Sequence, residues 1–199
     1  MLAIGDRRYL TDIKKPVKQA RFHVGMAQIL ILYATTEGHT ARVAQRMEQG
    51  LRAQGHNVEA LRAEPNAIAP DFERYDGVIV GASVHYGRHP GHLRALLRQH
   101  GAALEARRSA FFSVSLSARS KPQAAQRYLQ TFLRQVGWRP RQTATFAGAL
   151  PYSKYAPWKR LLMIAFVALA GGDTDASRDH EYTDWDAVDR FADGFAVAV

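Results

Sequence analysis

The stretch ILILYATTEGHT, Ile29–Thr40, decides how this chain is read. Its first half is an aliphatic run closed by Tyr33 and Ala34, the composition of a strand buried on both faces. Two hydroxyls, Thr35 and Thr36, then precede Glu37, Gly38 and His39, and a helical pattern starts at Thr40. A strand that enters a helix through such a turn presents the first helical N–H groups. These lack intrahelical acceptors and sit at the positive end of the helix dipole, so the turn is built to hold an anion. Thr35, Thr36 and Thr40 add hydroxyl donors, and Gly38 lets backbone approach a ligand closely. No lysine or arginine lies inside the loop, so neutral donors must hold the anion. The Gly-Lys pair of a Walker A loop is absent, and so is a GxGxxG fingerprint.

Outward from this stretch, strands and helices alternate. Thr40–Gln54 reads as a helix with Val43, Ala44, Met47 and Leu51 on one face and Gly55 as its stop. His56–Ala63 alternates like a strand, Glu64–Pro70 is a turn-rich connection, and Tyr75–Ala82 is a second buried strand. Gly91–Gly101 is a helix and Ser109–Ser115 a third buried strand. Pro122–Gly137 is a helix that turns Leu129, Phe132, Leu133 and Val136 inward, and Gln142–Ala149 is the last strand. Thr183–Val199 closes the chain, with Thr183 as cap, Asp186 as capping-box carboxylate and Trp185, Val188, Phe191 and Phe195 as apolar face. This order specifies an α/β fold, a parallel sheet covered on both sides. Residues 1–25 are basic and lack periodicity. They are expected to form a disordered extension or to precede a natural start at Met26, with the folded domain spanning 26–199.

The 199 residues suit a single domain and contain no cysteine, so thiol redox chemistry and thiolate-held clusters are excluded and any redox chemistry needs a bound cofactor. No apolar run reaches the roughly 20 residues of a membrane span, and no signal peptide is present, so a cytoplasmic location is expected. The net charge of +9 is unevenly placed: residues 88–160 hold 14 basic groups against Glu105 alone. Such a block suits an anionic substrate, anionic lipid or nucleic acid. Leu161–Ala170 is an unbroken apolar run, about 15 Å long as a helix and half of a bilayer core. Tyr152, Tyr155, Trp158, Lys159 and Arg160 flank it, the residue types of a membrane interface, with Lys154 nearby; a buried core helix is the alternative.

Residues 31–44 resemble the flavodoxin phosphate loop through Ile31, Leu32, Tyr33, Thr35, Gly38, Thr40 and Ala44, with Met47 where an aliphatic residue is usual. The resemblance implies a flavodoxin-like three-layer sandwich, five parallel strands in the order 2-1-3-4-5, with an apolar insert, 151–172, before the last helix. Loops after the first, third and fourth strands then converge at the switch point. The cofactor-binding candidates are Thr35, Thr36, Glu37, Gly38, His39 and Thr40 in the first loop. Ser83, Val84, His85, Tyr86 and Gly87 follow in the second, and Ser115, Leu116 and Ser117 in the third. Gly81 and Ala82 are small where a flat ring could approach, and Tyr86 could stack on it. His85, His89 and His92 cross a loop and a proline without a carboxylate, so no metal site is expected.

Further motifs narrow the resemblance: the YDGVIVGASVHYG segment at 75–87, SAFFSV at 109–114, GWRP at 137–140, AGALPY at 147–152, GGDTD at 171–175 and YTDW at 182–185. Together these are similar to the menaquinone-dependent protoporphyrinogen oxidase family; the departures are the N-terminal extension and a shortened, less charged 117–126 loop. The family resemblance implies non-covalent FMN and oxidation of protoporphyrinogen IX to protoporphyrin IX, the haem-biosynthetic step. Electrons would pass to menaquinone or ubiquinone at the inner face of the cell membrane, where the protein would be peripheral. The flavin itself is the expected hydride acceptor, and no side chain stands out as obligatory acid or base. Arg88, Arg119, Lys121, Lys154, Trp158, Lys159 and Arg160 are the candidates for substrate or membrane contact. Two other classes stay open. Electron-carrier flavodoxins are usually acidic and lack the insert. An NAD(P)H-dependent quinone reductase would need a nicotinamide site, for which no motif is visible. A nucleic-acid module would leave the phosphate loop unexplained, so no nucleic-acid partner is expected.

Overall fold

The computed structural model describes residues 25–150 and 175–199, together with 152–154, 156, 158, 161 and 164 of the segment between them. Five parallel strands, β1 (Gln28–Ala34), β2 (Asn57–Arg62), β3 (Gly77–Ser83), β4 (Arg108–Ser115) and β5 (Gln142–Ala147), form one sheet in the order β2-β1-β3-β4-β5. Ile29 stands opposite Val58 on one side and Gly77 on the other, and Ala110 stands opposite Gln142. Among the described residues outside 151–174 the helices are α1 (His39–Ala53), α2 (Gly91–Gln99), α3 (Gly101–Glu105), α4 (Ser117–Ser120), α5 (Pro122–Val136) and α6 (Trp185–Ala196). This is the expected doubly wound sandwich.

The period of two along β1 sorts the core into two layers. Ile29 and Ile31 face one side and pack with Val43, Met47 and Leu51 of α1 and Val188, Phe191 and Phe195 of α6. Leu30 and Leu32 face the other, with Leu93 and Leu97 of α2 and Leu129 and Phe132 of α5. Each such side chain taken fully out of water contributes roughly 1.5–3 kcal/mol, which outweighs the helix propensities of these segments. Every strand therefore runs toward the same sheet edge, and the β1, β3 and β4 loops meet there.

Several boundaries differ from the sequence reading. The last sheet strand stops at Ala147, not Ala149, because β4 ends at Ser115. The Gly148 N–H makes the final ladder bond to Ser115 O (3.2 Å). Ala149–Leu150 (β6) turns away and pairs antiparallel with His180–Glu181 (β7), a non-local contact between residues on either side of the insert. Residues 117–120, read as loop, make the single turn of α4. Gly91–Gly101 breaks at His100 into α2 and α3. Thr183 is not the cap of the last helix. Asp184 is, its side chain accepting from Ala187 N at 2.9 Å, while the Thr183 hydroxyl is used elsewhere. Gly81 is small for a different reason than expected: it is buried, and a Cβ there would lie 2.0 Å from the Phe112 ring. Its missing side chain makes room for that ring within the core, and Ala82 is equally buried.

Candidate flavin site

The first loop is held by its own residues. Gly38 takes a left-handed conformation (φ 89°), and its N–H donates to Thr35 Oγ1 at 2.9 Å. Thr35 thus braces the turn, which leaves its hydroxyl proton free to donate outward. The first helical bond runs from Arg42 N to Gly38 O (3.3 Å), so the N–H groups of His39, Thr40 and Ala41 have no acceptor within α1. Thr40 is 1% exposed, and its Oγ1 has no hydrogen-bond partner in the protein. A buried hydroxyl left unmade costs about 1–3 kcal/mol, so one standing beside free helix-start N–H groups fits an anionic ligand that would complete it. Glu37 is half-buried in the same turn.

His39 points the other way. Its Nε2 lies 2.6 Å from Thr183 Oγ1, and that hydroxyl donates its proton to Ala147 O at 2.9 Å. With its proton committed, Thr183 can only accept, so His39 carries hydrogen on Nε2. Burial lowers the His39 pKa, with Glu181 opposing and Arg42 adding to the shift. His39 thus ties the phosphate-type loop to the end of β5 through Thr183, the residue that the sequence reading gave to the helix cap.

The second loop is a tight turn. His85 and Arg88 exchange backbone bonds of 2.8 and 3.1 Å across Tyr86 (φ 48°) and Gly87 (φ 76°). Positive φ at both central residues is the type I′ arrangement. Glycine adopts it freely; a tyrosine there costs roughly 1–2 kcal/mol. The strain presents Tyr86 outward, 76% exposed, with the His85 ring edge-on at 4.3 Å. Ser83 and Val84 close the end of β3: Ser83 Oγ lies 3.5 Å from Thr36 Oγ1, and Val84 N donates to Val114 O at 2.8 Å. The three histidines do separate work. His89 pairs with Ser113 Oγ (2.8 Å) and His92 with Ala63 O (2.9 Å). Burial pushes the His89 pKa down to about 4. Among the described residues no three metal-ligating side chains converge.

In the third loop Ser115 is buried, and its Oγ, like that of Thr40, lacks a partner. Leu116 packs against Leu150 and Tyr152, and Ser117 opens α4. The Arg119 guanidinium lies 3.9 Å over the Tyr182 ring, which stacks on His180 at 6.0 Å. Lys121 is exposed at the start of α5. The fold therefore gathers all three predicted loops at the carboxyl ends of β1, β3 and β4, with a buried hydroxyl lacking a partner in the first and third. Local reading gave Thr183 the role of a helix cap and gave none to His180 or Tyr182 beside the third loop; the YTDW motif was the available signal for Tyr182 and Thr183. It also passed over Arg94 and Arg127, which join Arg88 along one cleft. Of the insert candidates, Trp158 is 71% exposed and Lys154 lies in a 3₁₀ turn, while Lys159 and Arg160 fall outside the described residues. No helix among the described residues is long and apolar enough to cross a membrane.

A family model described as a flavodoxin domain matches residues 30–177. A protein named protoporphyrinogen IX dehydrogenase (quinone) from Escherichia coli K12 is 35% identical over 168 residues, covering 82% of this chain and 91% of the relative. One of the same name from Leishmania major is also 35% identical, over 84% of this chain and 74% of its own length. Among solved structures, oxidised flavodoxin 2 from Bacillus cereus superposes with a TM-score of 0.55 at 21% identity, covering 87% of this chain and all of the flavodoxin.

Proposed function

We propose a function for a chain that belongs to the flavodoxin-domain family, and within it to the protoporphyrinogen IX dehydrogenases (quinone). It is an oxidoreductase that uses a flavin to oxidise protoporphyrinogen IX to protoporphyrin IX and passes the electrons to a quinone. We assign the flavin as FMN and the quinone as menaquinone or ubiquinone. The observation that carries the FMN assignment is the buried, unpartnered Thr40 hydroxyl beside the unpaired N–H groups at the start of α1, a place suited to a terminal phosphate. When bound, the flavin supplies the hydride-accepting ring. The protein's share is to hold and orient it. Thr35, Thr36, Gly38, His39 and Thr40 hold the phosphate end with Glu37 in the turn. The 83–87 turn and Ser115–Ser117 flank the ring, and Tyr86 is offered to its face.

Peripheral attachment to the inner face of the cell membrane fits the insert. Trp158 and Leu161, both helical and three positions apart, are each 71% exposed, whereas Ile164 packs against the cluster of Leu150 and Tyr152. Apolar side chains pointing outward from an anchored segment beside the flavin loops would bring a membrane-dissolved quinone within reach. The test is anaerobic mixing of the FMN-loaded protein with protoporphyrinogen IX. The flavin absorbance should bleach and return on addition of menadione or ubiquinone. Rapid bleaching by NADPH with none by the porphyrinogen would move the protein to the NAD(P)H-dependent quinone reductases.

A further inference from the structure

Beyond Gly87 the second loop runs into a cleft of about 810 Å³ between α2 and α5, a volume within the range of small-molecule sites. Arg88 from the turn, Arg94 from α2 and Arg127 from α5 line it, with Tyr128 and Gln135 beside them. No acidic residue occurs in α2 or α5, nor in residues 84–90 between β3 and α2. Arg94 donates to Gln135 Oε1 at 3.0 Å, a neutral partner. Among the described residues, Arg88 and Arg127 make no ion pair and no side-chain hydrogen bond. Three arginines from three segments thus line one concavity with no acidic residue among its described lining, so an entering anion meets positive charge alone. Guanidinium is the group that grips carboxylates in a two-pronged fashion.

The cleft is also placed for the reaction. The turn that carries Arg88 at its end begins at Ser83, which meets Thr36 of the phosphate-type loop. The loop that meets the phosphate-type turn at Ser83 thus also carries Gly87 and Arg88 into the arginine cleft. A Cβ at Gly87 would touch the Tyr128 ring at 3.5 Å, so the turn and the half-buried tyrosine form one wall.

We propose that this cleft binds the propionate carboxylates of the tetrapyrrole and so sets the macrocycle against the flavin, with Arg94 and Arg127 as the specificity-determining pair. The inference rests on the oxidoreductase reading above and adds the subsite that would select a dicarboxylic substrate.

The experiment titrates FMN-loaded protein with protoporphyrin IX and, separately, with its dimethyl ester, following the porphyrin Soret band. Wild type is compared with Arg94→Gln, Arg127→Gln and the double variant; FMN affinity and thermal midpoint report folding. The expected result is roughly tenfold weaker binding of the diacid for each single variant and roughly a hundredfold for the pair. The diester should bind weakly to wild type and respond little to either change. Added salt should weaken the diacid alone, because the arginines are solvent-facing. Diacid affinity unchanged in the folded double variant overturns the inference, as does equal loss of diacid and diester. Turnover of protoporphyrinogen IX by wild type is measured in parallel. Turnover with arginine-independent binding sinks the subsite alone, whereas arginine-dependent binding without turnover sinks the oxidoreductase reading and keeps the subsite.

Discussion

Replacing Thr40 by valine exchanges one hydroxyl for a methyl in a side chain that is 1% exposed, so its two consequences should have opposite signs. The Thr40 Oγ1 is buried with no partner among the protein's own groups, and a buried hydroxyl left unmade costs about 1–3 kcal/mol. Valine fills nearly the same space and has nearly the same helix propensity, so the change should raise flavin-free stability by about 1 kcal/mol. For a chain of this length that is a rise of about 2–4 °C in melting temperature. With FMN bound, the variant lacks one donor to a charged phosphate oxygen, worth about 1.5–3 kcal/mol, and Kd should rise roughly 10- to 150-fold. Thr40→Ser keeps the hydroxyl and should bind within a few-fold of wild type. Calorimetry of the flavin-free proteins and quenching of FMN fluorescence on titration measure the two arms. A Thr40→Val protein with unchanged Kd would refute the placement of the phosphate, and one that melts several degrees lower would show that the hydroxyl was already satisfied.

Gly81→Ala should lower stability in urea by about 1–3 kcal/mol or more, because the added carbon lies 2.0 Å from the Phe112 ring; an unchanged midpoint would mean that the ring moves aside freely. His89 is held neutral by burial down to about 4, against 6.5 in the unfolded chain. Between those values the unfolded state binds more protons, so stability is fully present above about 6.5 and declines as pH falls toward 4, on the order of 3 kcal/mol in all. Denaturation across that window should show this slope, and His89→Gln should flatten it. Trp158→Glu combined with Leu161→Glu should abolish co-sedimentation with anionic vesicles while FMN stays bound; vesicle binding that survives would place any membrane contact elsewhere. A chain begun at Met26 should match the full chain in FMN affinity and melting temperature, and a clear loss in either would assign residues 1–25 to the domain.

What the sequence determined by itself was local. The unbroken aliphatic run Ile29–Leu32 requires a strand with two buried faces, and the hydroxyl–glycine turn into Thr40 requires an anion-type helix start. Both depend on residues a few positions apart, where backbone geometry leaves little choice. The same holds for α5, which opens on Pro122 and ends at Gly137 in a left-handed cap (φ 77°). The tertiary structure decided whatever joins distant parts of the chain. Ala149 leaves the sheet because β4 has ended and Glu181 offers the pairing partner. Thr183 gives up the cap because its hydroxyl donates to Ala147 O and accepts from His39, and Gly81 is small for the sake of Phe112. Arg88, Arg94 and Arg127 look in sequence like three members of a basic block. They become one site only when α2 and α5 pack on the same face of the sheet, since a side chain's partners across a packed core follow from the register of whole elements and not from its neighbours along the chain.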